Sequence, residues 1–456
     1  MDKEMNGRIL AVPFPSPGHI NPMTQLCKRL VFKGFKATIV LTKFIAKNIK
    51  GKSDLVQIET ISDGDDEFHI FARQSVPDSV VRFTKHGSES LAQLIEKYES
   101  LGDPIVCVIY DSLLPWVVEV PKKLGLISVV FFTQQSAVNF FGYYSYHKLL
   151  PNPVVQFPVS IPGLPLLYLQ DIPTYGIYQD HHTLVANQFS TVDKADFAFV
   201  NTFYELEEEV LEAMSKVCQM MTVGPTIPSF YLDNRIENDK AYGLSLPQDA
   251  STWLNWLNSK SAGSVVYASL SSVGYASPNV KQMEELAYGL KGSNYNFLWV
   301  VKSFEMEKLP ENFIEETSDK GLIVQWCPQL EVLSNKAVGC ILSHCGWNST
   351  IEAISLGVPI VAMPMWADQL TNAKFIQDVW KVGVRVKCDE NGIAGREEIE
   401  ACIREVTNGE RATEINKSCA KWKTLAKEAV SEGGTSDRNI NELVSKLTGS
   451  LDVKTS

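Results

Sequence analysis

No stretch of this 456-residue chain reaches about 18 uncharged apolar residues, so no membrane-spanning helix is expected. Its first fifteen residues, MDKEMNGRILAVPFP, lack the basic start and long apolar core of a signal peptide. The nine cysteines, at 27, 107, 218, 327, 340, 345, 388, 402 and 419, are odd in number and form no C-x-x-C pair. They read as free, mostly buried thiols of a reducing compartment, and a cytoplasmic chain is the expectation. The histidines, at 19, 69, 86, 147, 181, 182 and 344, form no H-x-x-x-H pair, so no metal is expected. G-x-S-x-G, G-x-G-x-x-G and G-x-x-x-x-G-K-[ST] strings are absent, which removes common hydrolase, dinucleotide and P-loop readings. There is no long run of like charge, and the net charge is −11. An acidic surface argues against nonspecific nucleic-acid or anionic-membrane binding.

What is present is strand and helix in alternation. RILAVPF (8–14), KATIVLT (36–42), IVCVIY (105–110) and ISVVFF (127–132) read as buried strands. Helices are expected from about 20, with Met23, Leu26 and Leu30 on one face, from about 115, and around Phe140, Phe141, Tyr143 and Tyr144. This is the pattern of a parallel sheet wound on both sides. Residues 233–252 are polar and without period, and read as a linker. The alternation then restarts with SVVYAS (264–269), a helix over 278–291 and NFLWVV (296–301). The expected domains are 1–240, 253–436 and a terminal segment 437–456, whose helix over 437–449 can cross back to the first domain.

Residues 326–369 are the most informative segment: WCPQLEVLSNKAVGCILSHCGWNSTIEAISLGVPIVAMPMWADQ. The strand VGCILS (338–343) is broken by His344, Cys345 and Gly346, and a helix follows over 347–356 with Ile351, Ile354 and Ser355 inward. Such a junction leaves backbone N–H groups pointing outward with partial positive charge, an anion site. Asn348, Ser349 and His344 add side-chain donors, although Asn and Ser also cap helices of no special function. Trp326, in a loop after GLIVQ, can stack on a base, and Glu352 can accept from the two hydroxyls of a ribose. A second strand, VPIVAMP (358–364), leads to Trp366, Asp368 and Gln369 on the same carboxyl rim. A carboxylate beside an amide suits sugar hydroxyls.

The first strand ends in PSPGHINP (15–22), which puts His19 at a strand-to-helix junction. Two readings are open there: a base that takes a proton from an acceptor hydroxyl, or a residue that packs the turn. Asp111, after IVCVIY, can hold the far N–H of the imidazole or simply cap a helix before Pro115. Thr133, after ISVVFF, can cap the helix that follows.

The 44 residues from Trp326 to Gln369 resemble, without a gap, the plant secondary-product signature of the family 1 UDP-glycosyltransferases. The resemblance runs over essentially the whole chain. It implies an α/β fold of two Rossmann-like domains facing across a cleft (GT-B). It also implies an inverting enzyme that moves glucose from UDP-glucose to a hydroxyl or carboxyl of a small lipophilic plant metabolite such as a steroid, terpenoid or phenolic. The family's G-H-x-N-P motif places the base at His19, with Asp111 orienting it. Donor contacts are implied at Trp326, Cys327, Gln329, His344, Trp347, Asn348, Ser349, Glu352, Asp368 and Gln369, and at Thr133 and Ser272. No cofactor beyond the donor UDP-glucose is implied, and a monomer is expected. An acceptor pocket is expected around Trp116, Phe140, Tyr143, Tyr144, Tyr175 and Tyr178. One loop departs from the pattern: Ser269-Leu270-Ser271-Ser272 stands where relatives carry Ser-Phe-Gly-Ser. Ser271 adds a Cβ where backbone is expected to pass close to the diphosphate, which is expected to weaken donor binding by on the order of 1 kcal/mol. A catalytically weak sugar-nucleotide or metabolite-binding protein is the competing reading. His19, Asp111, Asp368 and Gln369 are all present and favour the enzyme.

Overall fold

The computed structural model describes residues 7–49, 51, 53–70, 72, 75–177, 182–244, 251–270 and 277–455. Most of its strands are short, mainly apolar runs buried on both faces, as parallel strands covered by helices must be, while the edge strands Gln57–Ile61 and Gly321–Val324 are only partly buried. Seven form one parallel sheet: β1 (Arg8–Val12), β2 (Lys36–Thr42), β3 (Gln57–Ile61), β4 (Ile105–Asp111), β5 (Ile127–Phe132), β6 (Phe197–Val200) and β7 (Met221–Thr222). Six form a second: β8 (Val265–Ser269), β9 (Asn296–Val300), β10 (Gly321–Val324), β11 (Val338–Ser343), β12 (Ile360–Ala362) and β13 (Gly383–Arg385). The orders are β3-β2-β1-β4-β5-β6-β7 and β10-β9-β8-β11-β12-β13. Each sheet therefore reverses its winding once, between β1 and β4 in the first and between β8 and β11 in the second. Ligands of open α/β sheets bind at these switch points, beyond the carboxyl ends of the strands.

Side chains alternate between faces along each strand. In the first sheet Ile9, Ala11, Ile39, Leu41, Cys107 and Ile109 pack under the helix Pro17–Phe32, through Met23, Leu26 and Leu30. The helix Thr435–Thr455 joins the same core through Ile440, Leu443 and Leu447. It is also tied by Ser436 Oγ donating to the Gly224 carbonyl at 2.6 Å, Asn439 Nδ2 donating to Thr222 O at 2.8 Å, and Lys33 pairing with Asp437 at 2.7 Å. The opposite face, with Leu10, Val12, Val108, Tyr110, Val130 and Phe132, is continuous with the core of the second sheet.

Several elements differ from expectation. The first helix begins at Pro17 rather than near 20, because Ser16 is extended and Pro17 carries the fixed φ of a first helical position. The helix expected from 115 is a 3₁₀ turn, Pro115–Val118, followed by the short helix Glu119–Lys123. The terminal helix is longer than 437–449 at both ends. The connection read as 233–252 ends at the helix Ser251–Asn258, and residues 245–250 lie outside the described residues.

Candidate active site

β1 runs buried to Val12, and the chain turns at Ser16 into the helix whose first turn holds His19. β4 pairs with β1 in parallel and ends in Asp111, which brings the two together. His19 Nδ1 lies 2.7 Å from Asp111 Oδ2, and Asp111 is fully buried. The other Asp111 oxygen accepts from Leu113 N at 3.0 Å, which fixes the carboxyl plane. Thr133, just past β5, sets its Oγ1 3.0 Å from the same Nδ1, and the Phe14 ring leans on the imidazole at 5.2 Å. A carboxylate only accepts, so this contact favours the hydrogen on Nδ1 and the lone pair on Nε2.

Across the cleft, β11 ends at Ser343 and the chain reverses through Cys345 in the left-handed region (φ 66°). Ser343 Oγ accepts from Cys345 N at 3.1 Å and holds the turn. The helix Trp347–Leu356 starts from Gly346, which supplies no side-chain cap. A Cβ there would come 2.7 Å from His344 Nε2, so the turn needs glycine. Below the junction lies a cavity of about 420 Å³, lined from the first domain by Pro17, Gly18 and Asn21 and from the second by Trp326, Gln329, His344, Asn348, Ser349 and Glu352. Trp326 is half-buried on its wall. Gln329 Nε2 donates to Glu352 Oε2 at 2.7 Å and to Ser349 Oγ at 3.1 Å, while its oxygen accepts from Tyr267 at 3.3 Å. Burial pushes the Glu352 carboxyl up to about 8, partly offset by Gln329. Burial also takes His344 down to about 4, partly offset by the Ser269 carbonyl, so the ring is neutral near pH 7. The Cys327 thiol, buried against the Tyr267 hydroxyl at 3.6 Å, is raised to about 11.

Beyond β12, Gln369 is buried at the start of the short helix Gln369–Lys374. Its Oε1 accepts from Met365 N at 2.9 Å and Trp366 N at 3.1 Å, which fixes the amide orientation and leaves Nε2 as a donor. Asp368 accepts from Asn372 Nδ2 at 2.8 Å. Burial raises its pKa, and the Asn372 bond and the charge of His19 oppose the rise. Among the hydrogen bonds that join the halves, two come from the start of the helix Trp347–Leu356: Asn348 Nδ2 donates to Gly18 O at 2.8 Å, and Trp347 Nε1 donates to Asn201 O at 2.7 Å.

The family model for UDP-glucoronosyl and UDP-glucosyl transferase matches residues 196–416. Flavonol 7-O-beta-glucosyltransferase UGT74F1 of Arabidopsis thaliana is 48% identical over 98% of this chain and 99% of its own length. The chain belongs to the plant family 1 UDP-glycosyltransferases. Mogroside I-E synthase of Siraitia grosvenorii is 45% identical over 96% of this glycosyltransferase and 98% of its own length. The crystal structure of Os79 from O. sativa in complex with UDP superposes with a TM-score of 0.91 at 36% identity, over 96% of this chain and all of that one.

Not every residue expected at the site is free to serve there. The Trp347 indole N–H is committed to Asn201, and one Asn348 N–H to Gly18. Phe140 and Tyr175 are core residues, and the Tyr175 hydroxyl donates to Val138 O at 3.1 Å. Tyr143, Tyr144 and Trp116 are only partly buried, packed against that core. Ser271, Ser272 and Tyr178 lie outside the described residues. The glycosyltransferase cavity also holds residues that the sequence reading missed: Tyr267, Lys302, and, from the connection between domains, Tyr231, Lys240 and Tyr242. An aromatic within an otherwise polar, aperiodic connection was the available signal for Tyr242.

Proposed function

We propose that this enzyme transfers glucose from UDP-glucose, with inversion, to a hydroxyl or carboxyl of a small lipophilic plant metabolite such as a steroid, terpenoid or phenolic. The observation that carries the reading is the 2.7 Å contact between His19 Nδ1 and the buried Asp111 carboxyl. It leaves His19 Nε2 to take the acceptor proton, while Asp111 stabilises the imidazolium that results. The acceptor oxygen attacks the anomeric carbon as the bond to the UDP oxygen breaks on the opposite face, without a covalent enzyme intermediate. Asp368 and Gln369 hold the sugar hydroxyls. Glu352 holds the ribose, Trp326 stacks on the uracil, and the uncapped helix start with Ser349, Asn348 and neutral His344 receives the diphosphate. The names of the flavonol and mogroside relatives, and the UDP bound to Os79, support donor and acceptor of these classes.

The test is an acceptor panel with UDP-glucose, read by mass spectrometry, with the anomeric configuration of the product read by NMR. His19→Ala is expected to cost about 100-fold or more in turnover of hydroxyl acceptors while UDP still binds. Retention of more than about a tenth of the wild-type rate would reject His19 as the base. Carboxylic acceptors arrive ionised and are assayed separately.

A further inference from the structure

Asp368 and Gln369 stand on the second domain, yet the stretch that carries them is fastened on either side to the first. Before them, Ala367 N donates to Thr174 Oγ1 at 2.9 Å, and Thr174 N donates back to Ala367 O at 3.1 Å. After them, the buried Thr371 donates from Oγ1 to Asp171 O at 2.7 Å. Ala367 is left-handed (φ 55°), a conformation that alanine keeps only where its surroundings impose it. Its N–H and its carbonyl both go to Thr174, so a residue of the other domain holds this turn.

The fastening segment is itself held from both sides. It consists of the 3₁₀ turns Leu169–Asp171 and Thr174–Gly176 and the buried Ile172 between them. In the first domain, the Tyr175 hydroxyl donates to Val138 O at 3.1 Å, and Gly176 O accepts from Val154 N at 3.0 Å. A Cβ at Gly176 would come 2.7 Å from the Phe141 ring, so the segment lies hard against its own domain. From the second domain, Arg385 at the end of β13 donates from Nη1 to Asp171 Oδ1 at 2.8 Å and from Nη2 to Gln170 O at 2.6 Å. The other oxygen of the buried Asp171 accepts from Tyr168 N at 3.0 Å, which fixes the backbone that receives Thr371.

We infer that Thr174 and Thr371 are positioning residues for the donor sugar: through Ala367 and the Asp171 carbonyl they set the Asp368 carboxylate and the Gln369 amide at the geometry the hexose requires. They act through the loop and do not touch the sugar. Polar groups that recognise hydroxyls must be held to a fraction of an ångström by the groups behind them. The bonds that Asp368 and Gln369 make themselves, to Asn372, Met365 and Trp366, tie the loop only to its own domain. The inference rests on the assignment of Asp368 and Gln369 to the sugar made above.

Calorimetric titration with UDP and with UDP-glucose, in the absence of acceptor, tests it on wild type, Thr174→Val, Thr174→Ser, Thr371→Val and Gln369→Ala. Valine is close in shape to threonine and removes only the hydroxyl, and melting temperatures check the fold. Thr174→Val and Thr371→Val are each expected to lose about 3- to 10-fold for UDP-glucose, with UDP unchanged within about 2-fold. Thr174→Ser keeps the hydroxyl and is expected to restore UDP-glucose binding. Equal losses for both ligands, or no loss for UDP-glucose where Gln369→Ala shows one, would overturn the positioning role and leave the sugar assignment standing. The absence of a selective loss in Gln369→Ala would overturn the sugar assignment, and the inference with it.

Discussion

At the scale of single residues, burial moves Glu352 up and His344 down from their ordinary ranges. Glu352 is raised from 4.5 to about 8, and His344 is lowered from 6.5 to about 4. Between pH 4.5 and 8 the folded protein keeps a proton on Glu352 that the unfolded chain has released, so unliganded stability falls as pH rises. Between pH 4 and 6.5 the unfolded chain takes up a proton that buried His344 refuses, so stability rises with pH. The two effects oppose one another below 6.5, and of the two only Glu352 acts from 6.5 to 8. That window is worth on the order of 2 kcal/mol. Urea unfolding of the unliganded enzyme at its two ends should show a fall in wild type and a flat response in Glu352→Gln, which imitates the protonated carboxyl. An equal fall in both proteins would mean that Glu352 titrates normally.

At the scale of elements, the loop between β12 and the helix Gln369–Lys374 shows how one side chain serves two ends. The Gln369 oxygen holds the loop through two backbone N–H groups, and its amide nitrogen is what remains for the sugar under the proposed function. Gln369→Glu keeps the acceptor and removes the donor, so its melting temperature should match wild type while kcat/KM for UDP-glucose falls about 10-fold or more. Gln369→Ala should lose both. A Gln369→Glu enzyme with wild-type kcat/KM would take the amide off the sugar. The strands beside this site were legible because they are buried on both faces: RILAV, KATIVLT and ISVVFF are mostly apolar, with Arg8, Lys36, Thr38, Thr42 and Ser128 the exceptions. β3, QIETI, was not, since it is the sheet edge and keeps Gln57 and Thr60 exposed. β6, β7 and β13, at four, two and three residues, are too short for any period to register. The helix foreseen at 115 opens as a 3₁₀ turn, where Pro121 denies the Val117 carbonyl a donor four residues on, and it ends before the left-handed Gly125 (φ 66°). Of the site, the residues that end strands could be placed from sequence, as with His19, Asp111, His344 and Asp368. Tyr231 and Tyr242 could not, because long-range contacts bring their segment to the cavity, among them the ion pairs of Lys28 and Arg29 and the bonds of Gln25 and Lys28 to the Ala241 carbonyl.

At the scale of the whole molecule, the two sheets present their switch points to each other, and the helix Trp347–Leu356 spans the gap. Trp347 bonds to Asn201 beyond β6, and Asn348 bonds to Gly18, the residue before His19. The Asn348 amide therefore touches the turn that seats His19 as well as the cavity that would hold the diphosphate. Asn348→Ala removes the tie to Gly18 and leaves that carbonyl without its partner, and a small displacement of the turn is enough to misplace an imidazole. The expected result is a fall in kcat of about 10-fold or more with a smaller change in the Kd for UDP, because the helix start keeps its other N–H groups. Asn348→Asp should be worse in both, since a carboxylate would face the Gly18 carbonyl and the incoming diphosphate at once. Steady-state kinetics with UDP calorimetry separate the two effects. A loss confined to UDP affinity in Asn348→Ala would mean that Asn348 serves the diphosphate alone, and that the first domain holds His19 in place without help from across the cleft.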